Sequence, residues 1–232
     1  ISVLEKTARI LNLEVPLIPV GPDRQSSPAE SNGLRVLDTN LLDEKEWEPG
    51  ALSPKAGAAA CEYIDRATRA VLDGQFQAMV TLPVNKESIR VTHPDFSGHT
   101  GMIADICNAP DVTMMLASEK LIVTHVSTHV SLSDAITLVT PERILTVIRL
   151  TQDALARLWP DRSQEPRIVV AGLNPHAGEG RAFGDEDADA VAPAVRAARE
   201  TGIDATGPHP PDTVFKAAVD GRYDAVVCMY HD

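Results

Sequence analysis

The chain has 232 residues, 44% hydrophobic and 23% charged, with a net charge of −12. That is enough apolar material for one or two globular domains with a real core, and it argues against a disordered chain or a repeat array. The acidity argues against nonspecific nucleic-acid binding, no apolar run reaches the roughly 18–20 residues of a membrane span, and no signal peptide is visible in a chain that starts at Ile1.

In chain order, residues 21–33 (GPDRQSSPAESNG) read as a polar loop, and Leu34–Leu37 as a short β-like run. Ser53-Pro54 is an N-cap followed by Pro at the first helical position, and Ala60, Cys61, Ile64, Ala67 and Val71 then recur at helical spacing. Further β-like runs stand at residues 78–82, 112–116, 121–126, 168–171 and 225–229, with little polar alternation. That is the character of strands buried on both faces. A helix is expected at about residues 102–107. Another starts at Thr140-Pro141, with Ile144, Val147, Ile148 and Leu155 facing inward. A last one spans about Asp185 to Glu200 and stops near Gly202, with Pro193 predicting a kink or a later start.

Strands alternating with helices predict an α/β sandwich around a mostly parallel sheet. No linker marks a domain boundary, so two sections of one elongated subunit and two independent domains both remain open. Cys61, Cys107 and Cys228 are odd in number, far apart and without a CxxC. They read as small buried residues in a reducing cytoplasm, not as a disulfide framework.

Open α/β sheets bind ligands beyond the carboxyl ends of their strands, so the residues after each run matter most. After 78–82, Lys86 stands at a strand mouth, either holding a carboxylate or phosphate or simply solvated at a helix start. FSGHTG (96–101) puts a Gly-rich turn before a helix, where free N–H groups meet anions and His99 and Thr100 add side-chain bonds. His129 follows 121–126, His176 and Glu179 lie in GLNPHAGEG (172–180), and His231 follows 225–229. Each histidine alone has an ordinary structural role open to it. Three of them past parallel strands would meet at one edge, and three protein ligands with an open position is the pattern of a catalytic metal site. Asp212, in GPHPPDT, is either a helix N-cap or a carboxylate near that metal.

Seven segments in order, TLPVNK (81–86), SGHT (97–100), MMLAS (114–118), VSTHVSL (126–132), GLNPHAGEG (172–180), GPHPPDTVF (207–215) and DAVVCMYHD (224–232), resemble the 4-hydroxythreonine-4-phosphate dehydrogenase family of vitamin B6 biosynthesis. The resemblance implies an isocitrate/isopropylmalate dehydrogenase-like fold, three-layer α/β/α with a mostly parallel sheet, and a homodimer with an active site shared between subunits. It implies a divalent metal, zinc first with magnesium or cobalt as alternatives, held by His129, His176 and His231. His99 and Thr100 match the family's substrate-binding pair, and Lys86 and Asp212 are candidate catalytic residues.

The implied reaction is oxidation of a secondary alcohol by NAD or NADP, then loss of CO₂. A Lewis acid at the hydroxyl eases hydride release and then draws electrons as CO₂ leaves. Gly101 stands where the family usually has an acidic residue, and Arg181–Glu186 is similar to a branch acting on threonate or erythronate 4-phosphate. Both substrate classes therefore stay in view. A phosphate acetyltransferase-like enzyme and a non-catalytic phosphometabolite-binding protein are the remoter alternatives. Relative to the family, residues 1–232 are expected to be a fragment of one two-lobed subunit, without its N- and C-terminal segments.

Overall fold

The computed structural model describes residues 1–21 and 32–231, so most of the loop expected at 21–33 lies outside the described residues. The chain divides into two compact units, Ile1–Pro110 and Asp111–Asp232.

The first unit begins with helix α1 (Ser2–Leu11), closed by Asn12 in the left-handed region. Strands β1 (Leu17–Val20) and β2 (Leu34–Leu37) pair in parallel. β1 departs from the sequence expectation: it carries Pro19, which cannot donate to a ladder and reads as a strand breaker except at an edge. Helix α2 (Pro54–Leu72) starts where its cap predicts, with the Ser53 hydroxyl accepting the Ala56 N–H at 3.1 Å. Helix α3 (Lys86–Arg90) is capped by Asn85, and α4 (His99–Cys107) begins three residues before the expected start at 102. Gly57 lets α2 meet α3 backbone to backbone, because a Cβ there would stand 2.3 Å from the Ser88 carbonyl oxygen. Cys61, Ile64, Ile89 and Phe96 fill the space between these helices.

The run at 78–82 is not a strand. Its apolar composition is strand-like, but no strand among the described residues offers it a ladder, and Val80 and Leu82 are 92% and 80% exposed.

The second unit is built on a five-stranded sheet. In chain order it contains β3 (Met115–Ala117), β4 (Ile122–His125), α5 (Leu132–Leu138), α6 (Pro141–Leu158), β5 (Ile168–Ala171), α7 (Ala192–Glu200), β6 (Ala205–His209), α8 (Pro211–Val219) and β7 (Ala225–Cys228). The sheet order is β3-β4-β7-β5-β6; β3 is antiparallel to β4, and every other pair is parallel. Side-chain alternation along the strands divides the core into two layers. Ile168, Val170, Ala225 and Val227 pack with Ile144, Val147, Ile148 and Leu155 of α6 and with α7. Val169, Ala171, Val226 and Cys228 face Val214 and Ala218 of α8. The α/β/α layering expected of a buried parallel sheet is thus present.

Two deviations have local causes. A π-helical turn, Asp187–Val191, runs directly into α7, so the regular α-helix starts late, as Pro193, which cannot donate to the turn before it, predicts. β6 was not expected as a strand because it contains Gly207 and Pro208; it lies at the sheet edge, where proline is tolerated.

At the amino edge of the sheet, Asp224 joins β7 to the residue before β5. Its carboxylate accepts the Arg167 backbone N–H at 2.8 Å, the Arg167 guanidinium at 3.1 and 3.2 Å, and Arg162 at 3.0 Å. Burial opposes its charge, but these bonds outweigh burial and hold the carboxyl below the ordinary range. The stabilisation is therefore fully present above the unfolded carboxylate value near 4 and is lost as pH falls through the lower folded value. Asp224→Asn is expected to destabilise the protein by about 2 kcal/mol at neutral pH. In urea titrations the gap from wild type should narrow as pH falls below the ordinary carboxylate value near 4; a gap that stays constant down through acid pH contradicts the assignment.

Candidate active site

Because β4, β7, β5 and β6 run in one direction, their carboxyl ends lie on one edge of the second unit. His129 follows β4, His176 follows β5, β6 ends at His209, and His231 follows β7. β7 lies between β4 and β5, so the sheet order sets the exit leading to His231 between the exits leading to His129 and His176.

The exits of β4 and β7 are zipped beyond the strands themselves. Val126 N–H donates to Cys228 O at 2.9 Å and Ser127 N–H to Met229 O at 3.1 Å. The Ser127 hydroxyl adds a bond to Met229 O at 2.9 Å. The result brings the rings of His129 and His231 to 5.8 Å between centroids. Imidazole nitrogens reach a divalent ion at about 2 Å, so two rings at this spacing fit one small cation. His125 lies 5.7 Å from His231, but its ring is buried and its Nδ1 faces the Met114 carbonyl at 3.2 Å. A carbonyl only accepts, so that nitrogen carries the proton. His129, His176 and His231 are exposed, as accessible ligands must be.

His176 stands in an unusual backbone. Residues His176, Ala177, Gly178, Glu179, Gly180 and Arg181 all have positive φ, a left-handed turn in which each non-glycine residue costs about 1 kcal/mol or more. His129 also has positive φ, at 58°. Backbone strain of this kind persists only where the surroundings enforce it, and it clusters at functional sites.

Here the surroundings include Asp187, a residue outside every motif singled out in the sequence. It is 2% exposed, and its carboxylate accepts the Leu173 N–H at 2.8 Å and the Asn174 N–H at 2.9 Å. A signal for it exists: Asp187 falls at helical spacing with the buried Ala190, Val191 and Ala194, so the period puts a carboxylate on the inner face. Next to it, Glu186 accepts the Asn174 amide, which holds its carboxyl below the ordinary range.

The ring partner of His176 is Phe183, at 6.0 Å. Among the described residues, no group of three or more His, Cys, Asp or Glu side chains is arranged to hold a metal. One chain therefore brings together His129 and His231 but does not gather His176 with them.

Asp212 is not the N-cap. Pro210 takes that position, and Asp212 lies exposed in the first turn of α8, where a negative charge is favourable. α8 leaves the end of β6, which sets Asp212 on the same edge as the histidines.

In the first unit, Lys86 opens α3 and does not stand at a strand mouth. It reaches toward the turn before α4: a Cβ on Gly98 would sit 3.5 Å from its ammonium nitrogen. His99 and Thr100 are the first residues of α4, and no side chain caps that helix. An ammonium, open helix N–H groups, an imidazole and a hydroxyl are thus close in sequence and structure, the chemistry of an anion site. Gly101 leaves room for the Ser97 hydroxyl, which a Cβ there would approach to 2.5 Å. The thiols are free; burial pushes Cys228 up to about 12 and raises Cys61, which leaves both unreactive at neutral pH.

Known proteins match this chain along its whole length. The family described as "Pyridoxal phosphate biosynthetic protein PdxA" matches residues 1–232. A 4-hydroxythreonine-4-phosphate dehydrogenase of Geobacter metallireducens is 45% identical over 199 residues, covering 86% of this chain and 58% of the relative. A D-threonate 4-phosphate dehydrogenase of Salmonella typhimurium is 41% identical over 199 residues, 86% of this chain and 60% of the relative. The crystal structure of 4-hydroxythreonine-4-phosphate dehydrogenase from Klebsiella pneumoniae aligns with a TM-score of 0.90 at 40% identity, covering 99% of this chain and 68% of that one. The chain spans about 60% of the length of these two curated relatives. With its α/β fold aligned over 99% of its residues and the family matched over all of them, the chain belongs to the PdxA family.

Proposed function

We propose that the full-length protein is a metal-dependent NAD(P) dehydrogenase that oxidises and decarboxylates a four-carbon hydroxy acid phosphorylated at C4. The observation that carries this is the single sheet edge from which three exposed histidines emerge, with the rings of His129 and His231 5.8 Å apart. Relatives named as dehydrogenases of 4-hydroxythreonine 4-phosphate and of D-threonate 4-phosphate support the dehydrogenase reading.

His129, His176 and His231 are the ligands of a divalent ion, zinc first, with magnesium or cobalt as alternatives. Ligands drawn from both subunits of a homodimer account for a single chain that pairs two of these histidines without the third. When bound, the ion supplies Lewis acidity to the substrate oxygens, and the nicotinamide accepts the hydride.

This chain's residues supply the rest. Lys86, His99 and Thr100, with the open N–H groups of α4, bind the anionic groups of the substrate. Asp212, a carboxylate at the α8 N-terminus, is the candidate acceptor of the hydroxyl proton. The left-handed turn and the zipped exits of β4 and β7 fix the imidazoles before substrate arrives. A cytoplasmic setting fits the free thiols, and no helix among the described residues is long and apolar enough to cross a membrane.

The substrate of first choice is 4-hydroxythreonine 4-phosphate. Threonate or erythronate 4-phosphate is the second reading, favoured by Gly101, by the 181–186 loop and by 41% identity to the Salmonella enzyme.

A panel of these phosphates, followed by NADH or NADPH absorbance with the full-length gene product, is expected to show turnover with one of them. No turnover with any, at saturating cofactor and Zn²⁺, contradicts the reading. Dialysis against a chelator should abolish turnover, and Zn²⁺ should restore it. His231→Ala should lower kcat/KM by at least about 100-fold with the fold intact; an active, metal-loaded variant refutes the ligand assignment.

A further inference from the structure

We propose that Asp187 is the positioning residue that holds His176 in its ligand conformation, by clamping the start of the left-handed turn. The proposal rests on the reading of His176 as a metal ligand.

The chain leaves β5 at Ala171 and within five residues enters a run of positive φ. At that departure the backbone N–H groups of Leu173 and Asn174 have left the sheet. Asp187 takes both, one on each carboxylate oxygen, at 2.8 and 2.9 Å. The fit is close on two sides. A Cβ on Gly172 would come within 2.8 Å of Asp187 Oδ1, and one on Gly178 within 3.5 Å of the Asp187 Cβ. These two glycines allow the turn to wrap the carboxylate.

The carboxylate is itself anchored. Asp187 shares the inner face of its helical segment with Ala190, Val191 and Ala194, which belong to the core that packs on β5 and β7. At the far end, Arg181 pairs with Asp185 and Asp189, so both ends of the turn are tied to one segment. His176 lies between the two ties, on a backbone fixed by these protein contacts. Outer partners of this kind set the affinity of metal ligands without touching the metal.

The test compares wild type, Asp187→Asn and Asp187→Ala in the full-length protein, with Gly178→Ala as a variant that strains the same turn from the backbone. Asn keeps one acceptor oxygen, so its effect should be the smaller of the two. Hydrogen exchange read by mass spectrometry should quicken across residues 172–183, while Ile168–Ala171 and Ala192–Glu200 keep their protection. Co²⁺, used as the probe, should bind about 10- to 100-fold more weakly. Its visible absorption should weaken as one imidazole withdraws, which general destabilisation alone does not produce. Wild-type exchange and Co²⁺ spectra in both Asp187 variants overturn the proposal. A wild type that takes up no Co²⁺ contradicts the metal reading instead. The exchange pattern then decides the clamp alone, with local loss of protection supporting it and unchanged protection overturning it.

Discussion

Parallel strands cannot be joined by hairpins; each return needs a crossover, and the crossovers bury both faces of the sheet. This constraint orders most of the second unit. It makes β5 and β7 apolar on both faces, divides their side chains between α6 with α7 and α8, and sends the chain out of the sheet at one edge after every parallel strand. The polar residues then have one place to gather. Asp224 secures the opposite edge, where Arg162 and Arg167 join the segment before β5 to the start of β7. The sheet is thus pinned by charge at one end and carries exposed imidazoles at the other.

The cost of this arrangement falls on backbone conformation. His129 and His176 both lie in the left-handed region, and His176 begins a run of six such residues. Glycines 178 and 180 ease the run, but His176, Ala177, Glu179 and Arg181 do not belong there by preference. Asp187, Arg181 and the Asn174–Glu186 bond hold it in place. Strained residues held by the fold itself are preorganised, which under the proposed metal reading favours tight and geometrically selective binding.

Much of this was legible in the amino-acid order. Ser53-Pro54 and Thr140-Pro141 marked helix starts because cap and proline act locally. Ile144, Val147, Ile148 and Leu155 showed their inner face through period alone, and Ile168–Ala171 was legible to the residue because both its faces are apolar. The failures were where pairing decides. Residues 78–82 have strand composition but no ladder partner among the described residues, whereas β1 and β6 form ladders despite their prolines. At the site, the candidate histidines were visible as residue types past strands. Asp187 stands in the acidic run Asp185-Glu186-Asp187, where residue type does not separate it from its neighbours and only its helical spacing with Ala190, Val191 and Ala194 points inward. Asp212 has the residue type of a cap without the position, because Pro210 and Pro211 together begin the helix earlier than a cap at Asp212 requires.

The central claim is that the sheet edge presents His129, His176 and His231 to one ion. Anomalous diffraction at the zinc absorption edge, from crystals of the full-length protein grown with Zn²⁺, tests it most directly. The expected result is a strong peak about 2.0–2.1 Å from an imidazole nitrogen of each of the three, drawn from two subunits. A peak bound elsewhere, or one that leaves His176 without contact to the ion, contradicts it.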